Sequence, residues 1–123
     1  MRLHHVQVSI PPGGEAEARR FYAEALGLAE IPKPAALTAR GGVWLRGAGG
    51  AEVHLGVEEP FVPAAKAHPA LAVDTTEELE AVAERLAGYG FAPDWSQRHN
   101  TETFERFHVL DPFGNRVEVV HPL

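Results

Sequence analysis

The sequence predicts an α+β fold built from two similar βαβββ modules, and three observations lead there. Landmarks repeat at a nearly fixed offset: His5 recurs as His68 and Gly27 as Gly90, 63 residues on in each case, and His54 is answered by Glu118 after 64. In each half a strand-like segment precedes a stretch of apolar residues at helical spacing. Short strand-like runs then follow, broken by Gly and Pro turns. The 123 residues are expected to form one domain, 1–123, with module 1 at about 1–57, a linker at about 58–67 and module 2 at about 68–123. A chain of this size buries roughly two thirds of its unfolded surface.

Taken in order, residues 3–10 alternate, with His5, Gln7 and Ser9 on one face and His4, Val6, Val8 and Ile10 on the other, which is a half-buried strand. Pro11-Pro12-Gly13-Gly14 ends it, and Ala18, Phe21, Tyr22, Ala25 and Leu26 then mark a helix that Gly27 caps. Beyond Pro32 and Pro34, short strands are expected near 35–39, 43–46 and 51–57, separated by the glycine turns at 41–42 and 47–50. The linker carries Pro60 and Pro63 and has no clean period. Module 2 opens with a strand over 69–74, whose first residue, Pro69, is tolerated at a strand start and biases His68 toward an extended backbone. Thr75 and Glu78 form a capping box for a helix whose apolar stripe is Leu79, Val82, Ala83 and Leu86, ending near 88–90. A strand near 91–95, a polar loop over 96–103 and two strands flanking Asp111-Pro112-Phe113-Gly114-Asn115 complete the second βαβββ.

Composition narrows the function. A formal net charge of −6 with scattered Lys and Arg excludes a nucleic-acid partner, which needs a clustered basic face. The absence of cysteine removes disulfides, thiolate metal sites and a thiol nucleophile, leaving His and carboxylate chemistry. No apolar run approaches about 18 residues and no basic region leads into an apolar one, so a cytoplasmic protein with no membrane partner is expected. The Gly-rich segments lack the Lys and following helix of a phosphate loop and read as hairpin turns.

Paired βαβββ modules, a His near the start of each module's first strand, and the run Asp111-Pro112-Phe113-Gly114-Asn115-Arg116-Val117-Glu118 together resemble the vicinal oxygen chelate superfamily, also called glyoxalase/bleomycin resistance/dioxygenase. The resemblance spans essentially the whole chain and implies two mixed sheets that curl around a metal-holding cavity, with each module's first and last strands side by side. Carried over position by position, it implies metal ligands at His5, His54, His68 and Glu118, on the first, fourth, fifth and eighth strands. Strand alternation agrees with that transfer: His54 shares a face with Glu52 and Gly56 against Val53, Leu55 and Val57, and Glu118 opposes Val117 and Val119. It also selects His5 over His4. Gln7, Trp44, Arg46, Arg106 and His108 project to the same side and are the candidate substrate-binding residues.

Three imidazoles and a carboxylate suit one divalent first-row ion per site, whether Fe, Mn, Co, Ni or Zn, better than the oxygen-seeking Mg or Ca. With only His5, His68 and Glu118 bound, the set becomes two His and one carboxylate with more open positions. His54 and Glu118 are the candidate catalytic pair, and His54 is open to three readings: ligand, general base or cavity wall. Ser9 stands where glutathione-using members resemble one another in carrying Arg. The loop over 96–103 lacks the Lys and Ser pattern of epoxide-opening members. The resemblance therefore implies a glyoxalase-like, metal-dependent isomerase or lyase for a small oxygenated, enediolate-forming substrate. The alternatives are a metal-free dimer that sequesters a small molecule, as bleomycin-binding relatives do, and a small dioxygenase-type member. The expected assembly is a homodimer with two sites, each taking His5 and His54 from one chain and His68 and Glu118 from the other. Pairing of modules within one chain is the other arrangement.

Overall fold

The computed structural model describes all 123 residues and contains two mixed sheets, neither closed. The chain divides into two compact units, Met1–Ala64 and Ala65–Leu123. No helix is long and apolar enough to cross a membrane.

In the first unit β1 (His5–Ile10) pairs in parallel with β4 (Glu52–Val57), so the first and last strands are neighbours, and the sheet continues through β3 (Val43–Arg46) to β2 (Ala29–Ile31). Helix α1 (Glu15–Arg19) passes directly into a π-helical turn over Arg20–Ala25. The amide of Leu26 reaches back to the carbonyl of Phe21 at 2.8 Å, and this wider winding accompanies complete burial of the adjacent Phe21 and Tyr22. Ala18, Ala25 and Leu26 join them against Val8, Ile10, Val43, Leu45, Val53 and Leu55. One face of the sheet is thereby spent on packing, and the other carries His5, Gln7, Trp44, Arg46, Glu52 and His54.

The second unit repeats the plan with a smaller sheet ordered β5 (Ala70–Ala72), β7 (Arg116–Pro122), β6 (Phe104–Leu110). Again the first and last strands are parallel neighbours. Helix α2 (Thr76–Gly88) begins where expected: the Thr75 hydroxyl accepts from the Glu78 amide at 3.0 Å, while the Glu78 carboxylate returns to the amide of Asp74 at 3.0 Å, one residue before the cap. Its stripe of Leu79, Val82, Ala83 and Leu86 is buried with Phe107, Val109, Val117 and Val119. The turn between β6 and β7 is locked by Asp111, whose carboxylate accepts from the amides of Phe113 and Asn115 and from the Asn115 side chain at 2.8–2.9 Å.

Three expected strands differ. The segment expected near 35–39 is a 3₁₀ helix, Ala35–Arg40, entered from Pro34 with the Leu37 amide bonded to the Pro34 carbonyl at 2.9 Å. The second strand of this unit is instead Ala29–Ile31, too short to show a period. The strand expected near 91–95 contracts to a single bridge between Asp94 and His108, because Pro93 has no amide to extend the ladder. The strand expected over 69–74 is Ala70–Ala72, with pairing prolonged by a bond from the Glu118 amide to the Pro69 carbonyl at 3.0 Å.

Candidate metal centre

In the second unit the antiparallel register of β6 and β7 sets His108 opposite Glu118 and Arg106 opposite Val120. Parallel pairing of β5 with β7 brings Ala70 beside Glu118, so His68, two residues before β5, reaches the same carboxylate. The result is a cluster in which single donor atoms of His68, His108 and Glu118 all lie within 4.8 Å of one another. Oε2 of Glu118 is the hub, 3.0 Å from Nε2 of His68 and 3.2 Å from Nε2 of His108. Glu118 and His108 are buried and His68 is half-buried.

The 3.0 and 3.2 Å separations of Glu118 Oε2 from the two imidazoles fit a common ion. Donors at right angles around a metal, each bonded at about 2.1 Å, stand roughly 3.0 Å apart. The orientation of His68 is more specific still. Its Nδ1 lies 2.8 Å from the carbonyl oxygen of Lys66, an acceptor only, so Nδ1 carries a hydrogen. Nε2 then meets a carboxylate oxygen at 3.0 Å, an approach that is favourable only with a second proton on the ring or a cation held between the two atoms. Two imidazoles and one carboxylate are also a donor set suited to a first-row divalent ion.

The electrostatics prepare both partners. Burial lowers the pKa of His108, and the nearby charge of Arg116 lowers it further against the opposing pull of Glu118, which favours the neutral, ligating imidazole. Burial would raise the pKa of Glu118, but the hydrogen bond from His68 and the charge of Arg106 outweigh it, and the net shift is downward. Arg106 contacts both Glu118 oxygens at 3.3 and 3.4 Å.

The first unit gathers a different group. His54 is buried, with its ring stacked on Trp44 at 3.7 Å and 4° and on His5 at 4.1 Å and 13°. Its Nε2 lies 2.7 Å from Oε2 of Glu52, whose other oxygen accepts from Arg46 at 2.6 Å. Nδ1 of His5 is 3.0 Å from Nδ1 of His4. Gln7 faces His54 across the parallel pair, and its amide fills the space left by the missing side chain of Gly56.

Of the four residues assigned to the metal by resemblance, His68 and Glu118 stand together in the second unit, while His5 and His54 belong to the first and are stacked ring on ring. Among the substrate candidates, Trp44 and Arg46 are engaged with His54 and Glu52, and Arg106 with Glu118. His108, assigned to substrate from the sequence, is a third donor beside His68 and Glu118. The turn could have revealed it: His108 lies three residues before Asp111 and Glu118 three after Asn115, which a tight hairpin sets face to face. Glu52 was also missed, although it lies two residues from His54 on the same face of β4.

A protein-family model described as the Glyoxalase/Bleomycin resistance protein/Dioxygenase superfamily matches residues 2–119. The chain belongs to this superfamily. It is similar to a crystal structure assigned to the glyoxalase family from Bacillus anthracis, with 41% identity, coverage of 100% of this chain and 96% of the other, and a TM-score of 0.89. A glyoxalase/dioxygenase from Nostoc punctiforme shares the fold at 20% identity, with 99% and 91% coverage and a TM-score of 0.78. So does an antibiotic binding protein from Streptomyces, at 21% identity, 100% and 97% coverage and a TM-score of 0.74. No curated protein matches the chain.

Proposed function

We propose that this glyoxalase-family chain is a metal-dependent lyase or isomerase acting on a small oxygenated substrate that passes through an enediolate. The observation that carries the reading is His68, whose Nδ1 is tied to the Lys66 carbonyl while Nε2 faces the Glu118 carboxylate at 3.0 Å. In this reading His68, His108 and Glu118 hold the ion, and His5 is an additional ligand. When bound, a divalent first-row ion supplies Lewis acidity that polarises a carbonyl oxygen. His54 is the proton acceptor: Nε2 donates to Glu52, which leaves the Nδ1 lone pair to take a proton from carbon. Trp44 and Arg46 then serve to hold His54 and Glu52, and Gln7 is the candidate contact to substrate in the first unit. The reading extends to a homodimer whose sites each take His5 and His54 from one chain and His68 and Glu118 from the other.

Metal analysis of untagged protein tests this directly. Stoichiometric metal in wild type, lost in His68→Ala and Glu118→Gln, is the expected result, and metal-free wild type after exposure to each candidate ion would overturn it. For the assembly, mixed dimers of His5→Ala and Glu118→Ala chains retain one intact site if sites are shared and none if each chain builds its own.

A second reading rests on the same carboxylate. Glu118 receives His68, His108 and Arg106 from the chain itself, a set of partners that would also serve a metal-free protein that sequesters a small molecule. Tight binding of a hydrophobic cation by metal-free wild type is the outcome that favours it.

A further inference from the structure

We infer that the substrate is an anion, a small oxygenated acid whose charged group is met by Arg106. The inference rests on the metal reading and adds the substrate's charge to it. Arg106 differs from the other paired arginines of the chain. Arg46 meets Glu52 at 2.6 Å, Arg98 meets Glu80 and Glu105 at 2.7 and 2.9 Å, and Arg19 meets Glu30 at 3.0 Å. Arg106 reaches Glu118 only at 3.3 Å, longer than the 2.7–2.9 Å or so of a well-made charged pair. Its Nη2 goes to the neutral oxygens of Gln97 and Asn100 at 3.0 and 3.2 Å, and its buried Nε has no acceptor at all. The side chain is largely buried, with its guanidinium over the ring of Phe104. A guanidinium removed from water in this way is normally matched by an anion of its own.

Metal loading sharpens the mismatch. Once the Glu118 oxygens turn to an ion, Arg106 keeps only amide oxygens, and its Nη1 becomes a free donor beside the centre. The charged groups that act on His108 and Glu118 include Arg106 and Arg116 against Glu118 and Asp94, two of each sign. A divalent ion therefore leaves two positive charges in excess. The net charge of −6 of the whole chain does not reverse this, because exposed charges beyond a Debye length of about 8 Å are largely screened. The local excess selects an anionic substrate, with one vicinal oxygen for the ion and a carboxylate or comparable group for Nη1.

The test compares pyruvate with pyruvamide, which share two vicinal oxygens and differ in charge, on Mn(II)-loaded protein by titration calorimetry. Wild type prefers pyruvate, and Arg106→Gln reduces that preference about tenfold or more while holding Mn(II) as tightly or more tightly. Arg106→Lys, which keeps the charge and loses the fork, retains part of the preference and guards against a misfolded Gln variant. An unchanged preference in Arg106→Gln, or no binding of pyruvate by loaded wild type, overturns the inference while leaving the metal reading intact. Failure of wild type to take up Mn(II) overturns the metal reading itself, and the inference falls with it.

Discussion

Glu52 and His54, two residues apart on β4, form a buried pair in which the imidazole Nε2 lies 2.7 Å from the carboxylate. The bond from His54, followed by that from Arg46, lowers the pKa of Glu52 from its ordinary 4.5 to about 2. A carboxyl depressed by folding stabilises the protein fully above its unfolded pKa, and that contribution is lost as the pH falls toward the folded value. Glu52→Gln is therefore expected to be less stable than wild type at pH 7 and to converge on it between about pH 4.5 and 2. Urea midpoints across that range read the effect. Parallel curves for the two proteins would show that the pair contributes no such dependence.

His108 is buried against Glu118 and completes the three-donor cluster. His108→Ala removes one imidazole and leaves the carboxylate with His68 and Arg106. Metal affinity is expected to fall by at least about 100-fold, beyond the 10–100-fold typical of residues that only support a ligand. Competition against a metal indicator dye provides the measurement, and wild-type affinity in the variant would remove His108 from the ligand set.

The repeat and the strand faces were legible because each follows from a period: two residues for a strand and about 3.6 for a helix. They placed Val53 and Leu55 on one face of β4 and His54 on the other, and the same rule set Glu118 against Val117 and Val119. The role of His108 was not legible from one strand alone, since it depends on the register between β6 and β7. Nor was Glu52, because a charged residue on a strand's outer face resembles a solvated one until its neighbours close over it. The strand at Ala29–Ile31 gave no pattern to read, having only three residues, whereas the strand read near 91–95 holds a single bridge at Asp94 because Pro93 has no amide to extend it.

Thr75 caps α2 by accepting the Glu78 amide at 3.0 Å. Truncation to alanine leaves that donor to water and costs about 1 kcal/mol. The neighbouring Thr76 donates to the buried Glu105 carboxylate, so Thr76→Ala is expected to be destabilising through a different loss, an acceptor left short of a partner inside the protein. Denaturant midpoints of the two single variants and the double variant distinguish the effects. Additive losses indicate independent roles, whereas a double variant no worse than one single would merge them into one network.

Gly42 and Gly88 make opposite predictions from the same substitution. Gly42 immediately precedes β3 with φ of +87°, and a Cβ there would stand 2.2 Å from the carbonyl oxygen of Leu55 on β4. Alanine must therefore adopt the left-handed backbone, at about 1–2 kcal/mol, and also push apart two paired strands of the sheet that carries His54. Gly88 ends α2, and a Cβ there meets nothing within 4 Å. Alanine at that position removes the entropy cost of a helical glycine and is expected to stabilise the protein by up to about 1 kcal/mol. Equilibrium unfolding of Gly42→Ala and Gly88→Ala reads both signs. A neutral Gly42→Ala would mean that β3 and β4 separate at this end without loss, contrary to their register through Val43 and Leu55.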